Sequence, residues 1–196
     1  VVAANSWMNS PSGFDYDPVT NTYSNIDPVA AMFNDAWFSQ SLHMTIAAFV
    51  ATGFAVAGIH ALLLLKDKKN LFHQKAMRIA LGVAAVAAIL QPISGDISAK
   101  DIAERQPAKL AAMEAHFHTE KGASLVIGGI PNEETKEVDY AIKIPYALSF
   151  LAHGDFNAEV TGLDQIPEDK QPPVAITHYA FQIMVGAGFF MMFVGL

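Results

Sequence analysis

The sequence predicts an all-α fold, namely a fragment of a multi-pass transmembrane helical bundle with a large extracytoplasmic loop. Of the 196 residues, 52% are hydrophobic and only 16% are charged, whereas about a quarter of the residues in soluble domains are charged. The apolar residues are concentrated in three blocks, and a helix needs about 20 such residues to cross the hydrocarbon core of a bilayer. These observations indicate a chain embedded in a lipid bilayer.

The sequences at the two ends of the chain resemble membrane helices that are cut within their length. Residues 1–8 resemble the last turns of a transmembrane helix and lack the basic start, apolar core and cleavage site of a secretory signal. The last residue, Leu196, stands inside an apolar run. We therefore expect an internal fragment that begins with the end of a transmembrane helix, which an outer loop over residues 9–36 follows.

The three apolar blocks predict three further transmembrane helices. Residues 37–65 contain no Asp, Glu, Lys or Arg and are long enough to cross the bilayer with residues to spare. Residues 76–93 are rich in Ala and Val and are borderline in length. Residues 174–196 form a truncated last span without formal charge, and its polar members are Thr177, His178 and Gln182.

The connection between the first two spans, residues 66–75, predicts the orientation of the chain. Residues 66–78 hold five of the twelve Lys and Arg residues, and positive charge concentrates on the cytoplasmic side of membrane proteins. The alternative is a solvated turn whose charges carry no topological information. With this connection in the cytoplasm, residues 94–173 form a loop on the outer side of the membrane.

The outer loop is about 80 residues long, which is too long for an idle connection. Apolar residues at helical spacing predict a helix over residues 106–118. Residues 128–132, Gly-Gly-Ile-Pro-Asn, are typical of a turn. Residues 142–152 are largely apolar but too short to span a bilayer, so we expect them to pack on the membrane surface or on the protein itself.

Composition excludes several classes of function. The chain has no cysteine, which rules out disulfides, thiolate metal sites and cysteine nucleophiles, but seven histidines and eight methionines remain as ligands for a metal or a haem. A net charge of -7 argues against a nucleic-acid partner, because no basic face is available to neutralise phosphates. The sequence has no Gly-rich phosphate loop, no serine nucleophile elbow and no His-Glu-x-x-His pattern.

Two side chains within the predicted spans, His43 and Met184, are candidate ligands of one iron. At about 1.5 Å per residue, His43 lies roughly 9 Å and Met184 roughly 15 Å from the outer end of its span, so both are in the outer half of the bilayer. An imidazole and a thioether on opposite faces of one iron make a low-spin, electron-transferring b haem. The alternatives are a His that bonds a neighbouring helix and a Met that only packs.

Other titratable residues give weaker patterns. His60 lies near the inner end of its span, His73 lies in the cytoplasmic turn, and His178 lies at the outer membrane boundary, where it suits an interfacial anchor. In the predicted loop helix, Lys109 and Glu114 are about 140° apart around the helix, so they do not form a natural surface ion pair. The alternative for this helix is a solvated amphipathic surface.

Six short stretches together carry a resemblance to a known family. The chain resembles subunit I of cytochrome bd-type quinol oxidases over nearly its full length, with the shorter form of the external loop found in part of that family. The joint order and spacing of the stretches are specific, although each one alone is weak. They are residues 4–11, 43–53, 106–114, 128–131, 144–146 and 180–186.

The resemblance implies a role for each candidate residue. His43 and Met184 would be the axial ligands of the low-spin haem b, and residues 94–173 would be the quinol-binding loop, with Lys109 and Glu114 contacting the quinol. Some family members have Arg two residues before the ligand Met, where this chain has Gln182. We expect Gln182 to lie at the haem and to offer it only hydrogen bonds. The family's high-spin haem b and haem d take their ligands from helices outside this chain.

The resemblance also implies a place in respiration. In the family, electrons pass from ubiquinol or menaquinol to the low-spin haem and on to the other two haems, where dioxygen becomes water. Protons taken from the cytoplasm and released outside build a proton gradient without pumping. The expected partners are subunit II and small accessory subunits, and the expected location is a bacterial or archaeal plasma membrane, with the loop on the periplasmic side.

Two alternatives stay open. One is a different b-haem quinol oxidoreductase, which lacks the absorption band of haem d. The other is a haem-free transporter or channel subunit, with His43, His60 and Gln182 lining a polar path. The second is the weaker of the two, because no charged residue lies in the middle of a span, where coupling sites usually lie.

Overall fold

The computed structural model describes residues 1–196, and most of these residues are helical. Three helices are long and apolar enough to cross a membrane by length and composition. The strands are only two or three residues long, so the prediction of an all-α membrane fold is confirmed. The chain divides into two compact units, residues 1–98 with 191–196, and residues 99–190.

The first unit contains the amino-terminal helix and most of the first two long helices. Asn34 Nδ2 donates a hydrogen bond to Ser6 Oγ (2.9 Å), and both side chains are buried, which ties the segment before the first long helix to the amino-terminal helix. The elements of this unit are α1 (Val2–Asn9), β1 (Asp15–Asp17), β2 (Thr22–Ser24), α2 (Pro28–Met32), α3 (Trp37–Lys66) and the greater part of α4 (Leu71–Arg105). Strands β1 and β2 form an antiparallel hairpin.

At the short turn between α3 and α4, a side chain caps the start of the second helix. The Asn70 side-chain oxygen accepts hydrogen bonds from the backbone N–H groups of Phe72 (3.1 Å) and His73 (3.3 Å), which are otherwise unpaired at a helix start. Helix α4 extends past the apolar segment 76–93 at both ends and continues through Pro92. The limits of the membrane along this helix stay a prediction.

Helices α3 and α4 approach closely where both carry small residues. A Cβ placed on Gly53 would lie only 2.7 Å from the Cβ of Ala84, so glycine is required at this contact. Small residues at such contacts let membrane helices pack backbone to backbone. A cluster formed by Val50, Ala87 and Ala88 continues the contact.

Short antiparallel strands and two short helices form the second unit, together with most of the last long helix. The helices are α5 (Pro107–Glu114), α6 (Ala147–His153) and α7 (Val174–Gly195). The strand pairs are β3 (Glu120–Lys121) with β8 (Glu159–Val160), β4 (Leu125–Ile127) with β7 (Ile142–Ile144), and β5 (Ile130–Asn132) with β6 (Glu137–Asp139).

Two expectations for the loop are settled by this unit. Residues 142–152 form β7 and then α6, whose Leu148 and Ala152 are buried in a core cluster with Leu110, so this segment packs on the protein itself. The predicted helix over residues 106–118 is shorter than expected. It ends at Glu114 because Ala115 adopts a left-handed conformation (φ 49°) and caps the helix.

Candidate functional site

The first candidate ligand, His43, is half-buried on α3 and is held by a residue of α4. Its Nδ1 donates to the Ser94 hydroxyl oxygen (3.0 Å), and that hydroxyl donates to the backbone oxygen of Gln91 (2.9 Å). Because the Ser94 hydroxyl hydrogen is donated to Gln91 O, the imidazole must supply the hydrogen of the bond between His43 Nδ1 and Ser94 Oγ. The remaining nitrogen, Nε2, therefore carries the lone pair that a metal ligand needs.

The Gln91 side chain occupies the coordinating side of this imidazole. Its Nε2 lies 3.0 Å from His43 Nε2, while its buried Oε1 has no hydrogen-bond partner. An unpaired buried amide oxygen is costly, so this arrangement is a poor substitute for a ligand bond. The donor set at His43 thus fits an iron that takes an imidazole nitrogen.

The second candidate ligand, Met184, lies on an open face of α7. Its side chain is 55% exposed, and a Cβ added at Gly186 or Gly188 would meet nothing within 4 Å. A thioether one helical turn from Gly188 leaves room for a flat group against the helix. The residues of this face fit a haem, and the pairing of His43 with Met184 on one iron stays a prediction.

The two residues predicted to contact quinol occupy different environments. Lys109 is exposed, whereas Glu114, the last residue of α5, is only 1% exposed and its Oε2 has no hydrogen-bond partner. Burial raises the pKa of the Glu114 carboxyl from 4.5 to about 8. The alternative of a solvated amphipathic surface is therefore wrong for the face that carries Glu114.

A second set of titratable groups follows Glu114 along the chain. His116 is buried, and burial lowers the pKa of its imidazole. Thr119 donates to the Asp164 carboxylate from its hydroxyl (2.6 Å) and its backbone N–H (3.0 Å), and the hydroxyl bond lowers the pKa of Asp164. Exposed His118 and Asp164 line a cavity of about 200 Å³.

His178 and Gln182 lie one turn apart on α7 and hold the turn that contains Gly128. The Gln182 amide accepts from Gly128 N (3.2 Å) and donates to Val126 O (2.9 Å). His178 is fully buried, with Nδ1 2.9 Å from Met113 O and Nε2 3.3 Å from Gly128 O. An exposed interfacial anchor is therefore the wrong interpretation of His178, while a haem contact of Gln182 stays a prediction.

The two histidines at the other end of the spans pair with each other. His60 on α3 and His73 on α4 approach to 2.9 Å between their Nδ1 atoms, so one ring donates and the other accepts. Neither residue is exposed as fully as a surface turn would require. Sequence reasoning that considers the two histidines separately does not predict this pair. Residues on either side of a tight turn between two helices are nevertheless expected to meet.

Sequence reasoning also misses the partners of His43. Ser94 and Gln91 stand on α4 at the outer end of the second apolar segment, the same end at which His43 stands in the first. Two polar residues at the depth of a membrane His are the signal that would have found them, since buried polar groups in membranes pair with one another.

Three long apolar helices, and a loop unit with a buried carboxyl, define a polytopic helical membrane protein. The chain belongs to the cytochrome bd terminal oxidase subunit I family, whose sequence profile matches residues 1–196. It is 35% identical over 196 residues to the "Putative cytochrome bd menaquinol oxidase subunit I" of Bacillus subtilis (strain 168), covering 98% of this chain and 44% of that protein.

Two other comparisons agree. The chain is 30% identical over 208 residues to the "Cytochrome bd ubiquinol oxidase subunit 1" of Bacillus subtilis (strain 168), covering 100% of this chain and 44% of that protein. It also matches the bd oxidase structure from Geobacillus thermodenitrificans with a TM-score of 0.89 and 41% sequence identity, over 98% of this chain and 44% of that one. The chain therefore spans less than half the length of these relatives.

Proposed function

We propose that this chain is the part of a cytochrome bd-type terminal oxidase that oxidises quinol and through which electrons enter the complex. The observation that carries the proposal is the Glu114 carboxyl, which is buried and has an unpaired oxygen and a pKa of about 8. Oxidation of a quinol releases two protons and two electrons, so it needs a base near the hydroxyl. A group whose pKa lies near the working pH is the most effective base.

The proton steps are assigned to residues of the loop unit. Glu114, in its ionised form, accepts a proton from the quinol hydroxyl, and the exposed ammonium group of Lys109 contacts an oxygen of the quinol ring. The unpaired Glu114 Oε2 is the acceptor available for the first contact. Buried His116 and exposed His118 lie two and four residues beyond Glu114, in the part of the chain that turns back toward solvent.

The electron step requires a cofactor that His43 and Met184 would hold. A low-spin haem b, when bound by these two ligands, supplies a one-electron acceptor with a potential that the thioether raises. The chain's own residues prepare the ligands. Ser94 fixes the tautomer of His43, and the second hydrogen bond of such an imidazole makes it a more basic ligand.

The wider reaction belongs to the proposal as well. The electrons continue to a high-spin haem b and a haem d, whose ligands lie outside this chain, where dioxygen is reduced to water. Subunit II and small accessory subunits complete the assembly, with residues 94–173 on the periplasmic side and a proton gradient as the product. One relative is described as a menaquinol oxidase and another as a ubiquinol oxidase, so quinol is the shared substrate class.

The test is Glu114→Gln in the intact oxidase. We expect quinol oxidation to slow by about a hundredfold, the usual contribution of a general base, while oxidation of an artificial donor that reduces the haems directly stays near wild type. Glu134→Gln, at an exposed glutamate of the same loop, serves as the matched control. Equal slowing with both donors would remove the quinol role of Glu114.

A further inference from the structure

The least expected side chain in the loop unit is His178, which has no exposed surface. Two backbone oxygens face its ring, with Met113 O 2.9 Å from Nδ1 and Gly128 O 3.3 Å from Nε2. A carbonyl oxygen only accepts hydrogen bonds, so each contact needs an N–H from the ring. A neutral ring has one such group and places it best on the shorter contact, to Met113 O.

The Met113 carbonyl is part of the last turn of α5, and Met113 directly precedes Glu114. The last carbonyls of a helix have no partner within the helix, so an outside donor stabilises that turn. Ala115, in its left-handed conformation, ends the helix immediately afterwards. The bond from His178 therefore acts on the turn that sets the direction of the Glu114 side chain.

The opposite side of the same imidazole faces the Gly128 turn. Gly128 has φ 67°, and the Gln182 amide bonds both its N–H and the oxygen of Val126. His178 and Gln182 are one turn apart on α7, and Met184 follows two residues later. One face of α7 thus forms hydrogen bonds with two separate segments of the loop, and the residues that form them precede the candidate haem ligand in the sequence.

We propose that His178 is a positioning residue for quinol oxidation, holding the last turn of α5, and with it the Glu114 carboxyl, against the helix that carries Met184. The inference rests on the proposed function, because it assigns His178 to the same site. Both ring nitrogens of His178 face backbone oxygens, so we assign it no direct contact with quinol or haem. It acts by keeping the base and the ligand-bearing helix in one fixed arrangement, and small displacements of a base are costly to a reaction rate.

The test compares three substitutions at this position in the intact oxidase, each assayed with quinol and with an artificial donor. His178→Asn keeps an N–H close to the place of Nδ1, His178→Gln keeps one close to the place of Nε2, and His178→Leu keeps neither. We expect His178→Leu to lower kcat for quinol oxidation by about tenfold or more. His178→Asn should restore most of that loss and His178→Gln should not.

Additional readouts separate positioning from a general structural role. The low-spin haem spectrum and the artificial-donor rate should stay near wild type in all three variants, and KM for quinol should change less than kcat. His153→Leu, at an exposed histidine of α6, is the control and should leave both activities unchanged. If His178→Leu fails to assemble, the difference in quinol oxidation rate between His178→Asn and His178→Gln still tests the positioning role.

Two outcomes would overturn the inference. One is a wild-type quinol rate in His178→Leu, and the other is equal rates in His178→Asn and His178→Gln. The proposed function is judged separately by Glu114→Gln. If that variant slows quinol oxidation selectively while the His178 variants behave as wild type, only the positioning role fails, and if it does not, the quinol site itself is misassigned.

Discussion

His43 Nδ1 donates to Ser94 Oγ at 3.0 Å, and the Ser94 hydroxyl is itself committed to Gln91 O. This chain of two hydrogen bonds orients an imidazole whose other nitrogen is the proposed haem ligand. Partners of this kind commonly change metal affinity by about 10- to 100-fold when removed. Ser94 and Gln91 of α4 would thus tune the proposed haem site without being ligands themselves.

Ser94→Ala should weaken haem binding and raise the midpoint potential of the low-spin haem. The imidazole loses the acceptor of its N–H, becomes a poorer electron donor, and stabilises ferric iron less. A redox titration of the low-spin absorption band measures the change. Ser98→Ala is a matched control one turn further along α4, since Ser98 Oγ has no hydrogen-bond partner. Equal potentials in wild type and Ser94→Ala would contradict this role.

His43→Ala and Met184→Leu should each abolish the low-spin b-haem signal. Each substitution removes one axial ligand, and neither removes a residue of the buried clusters. Difference spectra of the reduced and oxidised membranes measure the signal. Met44→Leu, at an exposed methionine next to His43, should leave it intact. A retained signal in both ligand variants would end the ligand assignment.

Glu114 predicts a rise of quinol oxidation with pH. Its pKa of about 8 means that the carboxyl is protonated at lower pH and ionised above that value, and only the ionised form accepts a proton. The wild-type rate should therefore increase as the pH passes through 8. Glu114→Gln should lose this limb of the profile, and an identical profile in both proteins would assign the titration to another group.

The same shift predicts a loss of stability as the pH rises. The folded-state pKa lies above the ordinary value of 4.5, so the folded protein binds more protons between pH 4.5 and 8. Folding stability then falls with increasing pH across that window. Thermal unfolding of the intact oxidase should show a smaller fall for Glu114→Gln. A parallel fall in both proteins would mean that Glu114 is not the group responsible.

The long helices were predictable because composition alone determines them. Residues 37–65 have no formal charge, and residues of this kind have no stable alternative to a helix in a bilayer, where each backbone group needs an internal partner. The ends of α4 were not predictable in this way. Its first turn depends on the Asn70 cap. Its last turns consist largely of polar residues, and the spacing of apolar residues does not reveal that they are helical.

The environment of the candidate site was less predictable than its residues. Spacing identifies Glu114 as a member of a helix, but its burial depends on residues far along the chain, such as Leu163 and Val174, which pack beside Ala111 and Ala115. The left-handed Ala115 carries no sequence signal, because that conformation is uncommon for residues other than glycine. Packing between residues distant in the sequence determines both the burial of Glu114 and the conformation of Ala115, and local sequence patterns do not reveal such packing.

Substitutions of Gln182 test whether this side chain, which bonds the loop, also influences the proposed haem. Its amide both accepts from Gly128 N and donates to Val126 O, and an arginine can only donate. Gln182→Arg should therefore free the Gly128 N–H while placing a positive charge two residues before Met184. A positive charge beside the haem favours reduced iron, so the midpoint potential should rise.

Limited proteolysis of the outer loop and a redox titration measure the two effects separately. Gln182→Leu removes both hydrogen bonds without adding charge, so it should increase cleavage near Gly128 and leave the potential close to wild type. Gln182→Arg should show increased cleavage together with the higher potential. If both variants shift the potential equally, the change comes from disturbance of the loop and not from charge, and a haem contact at this position would be wrong.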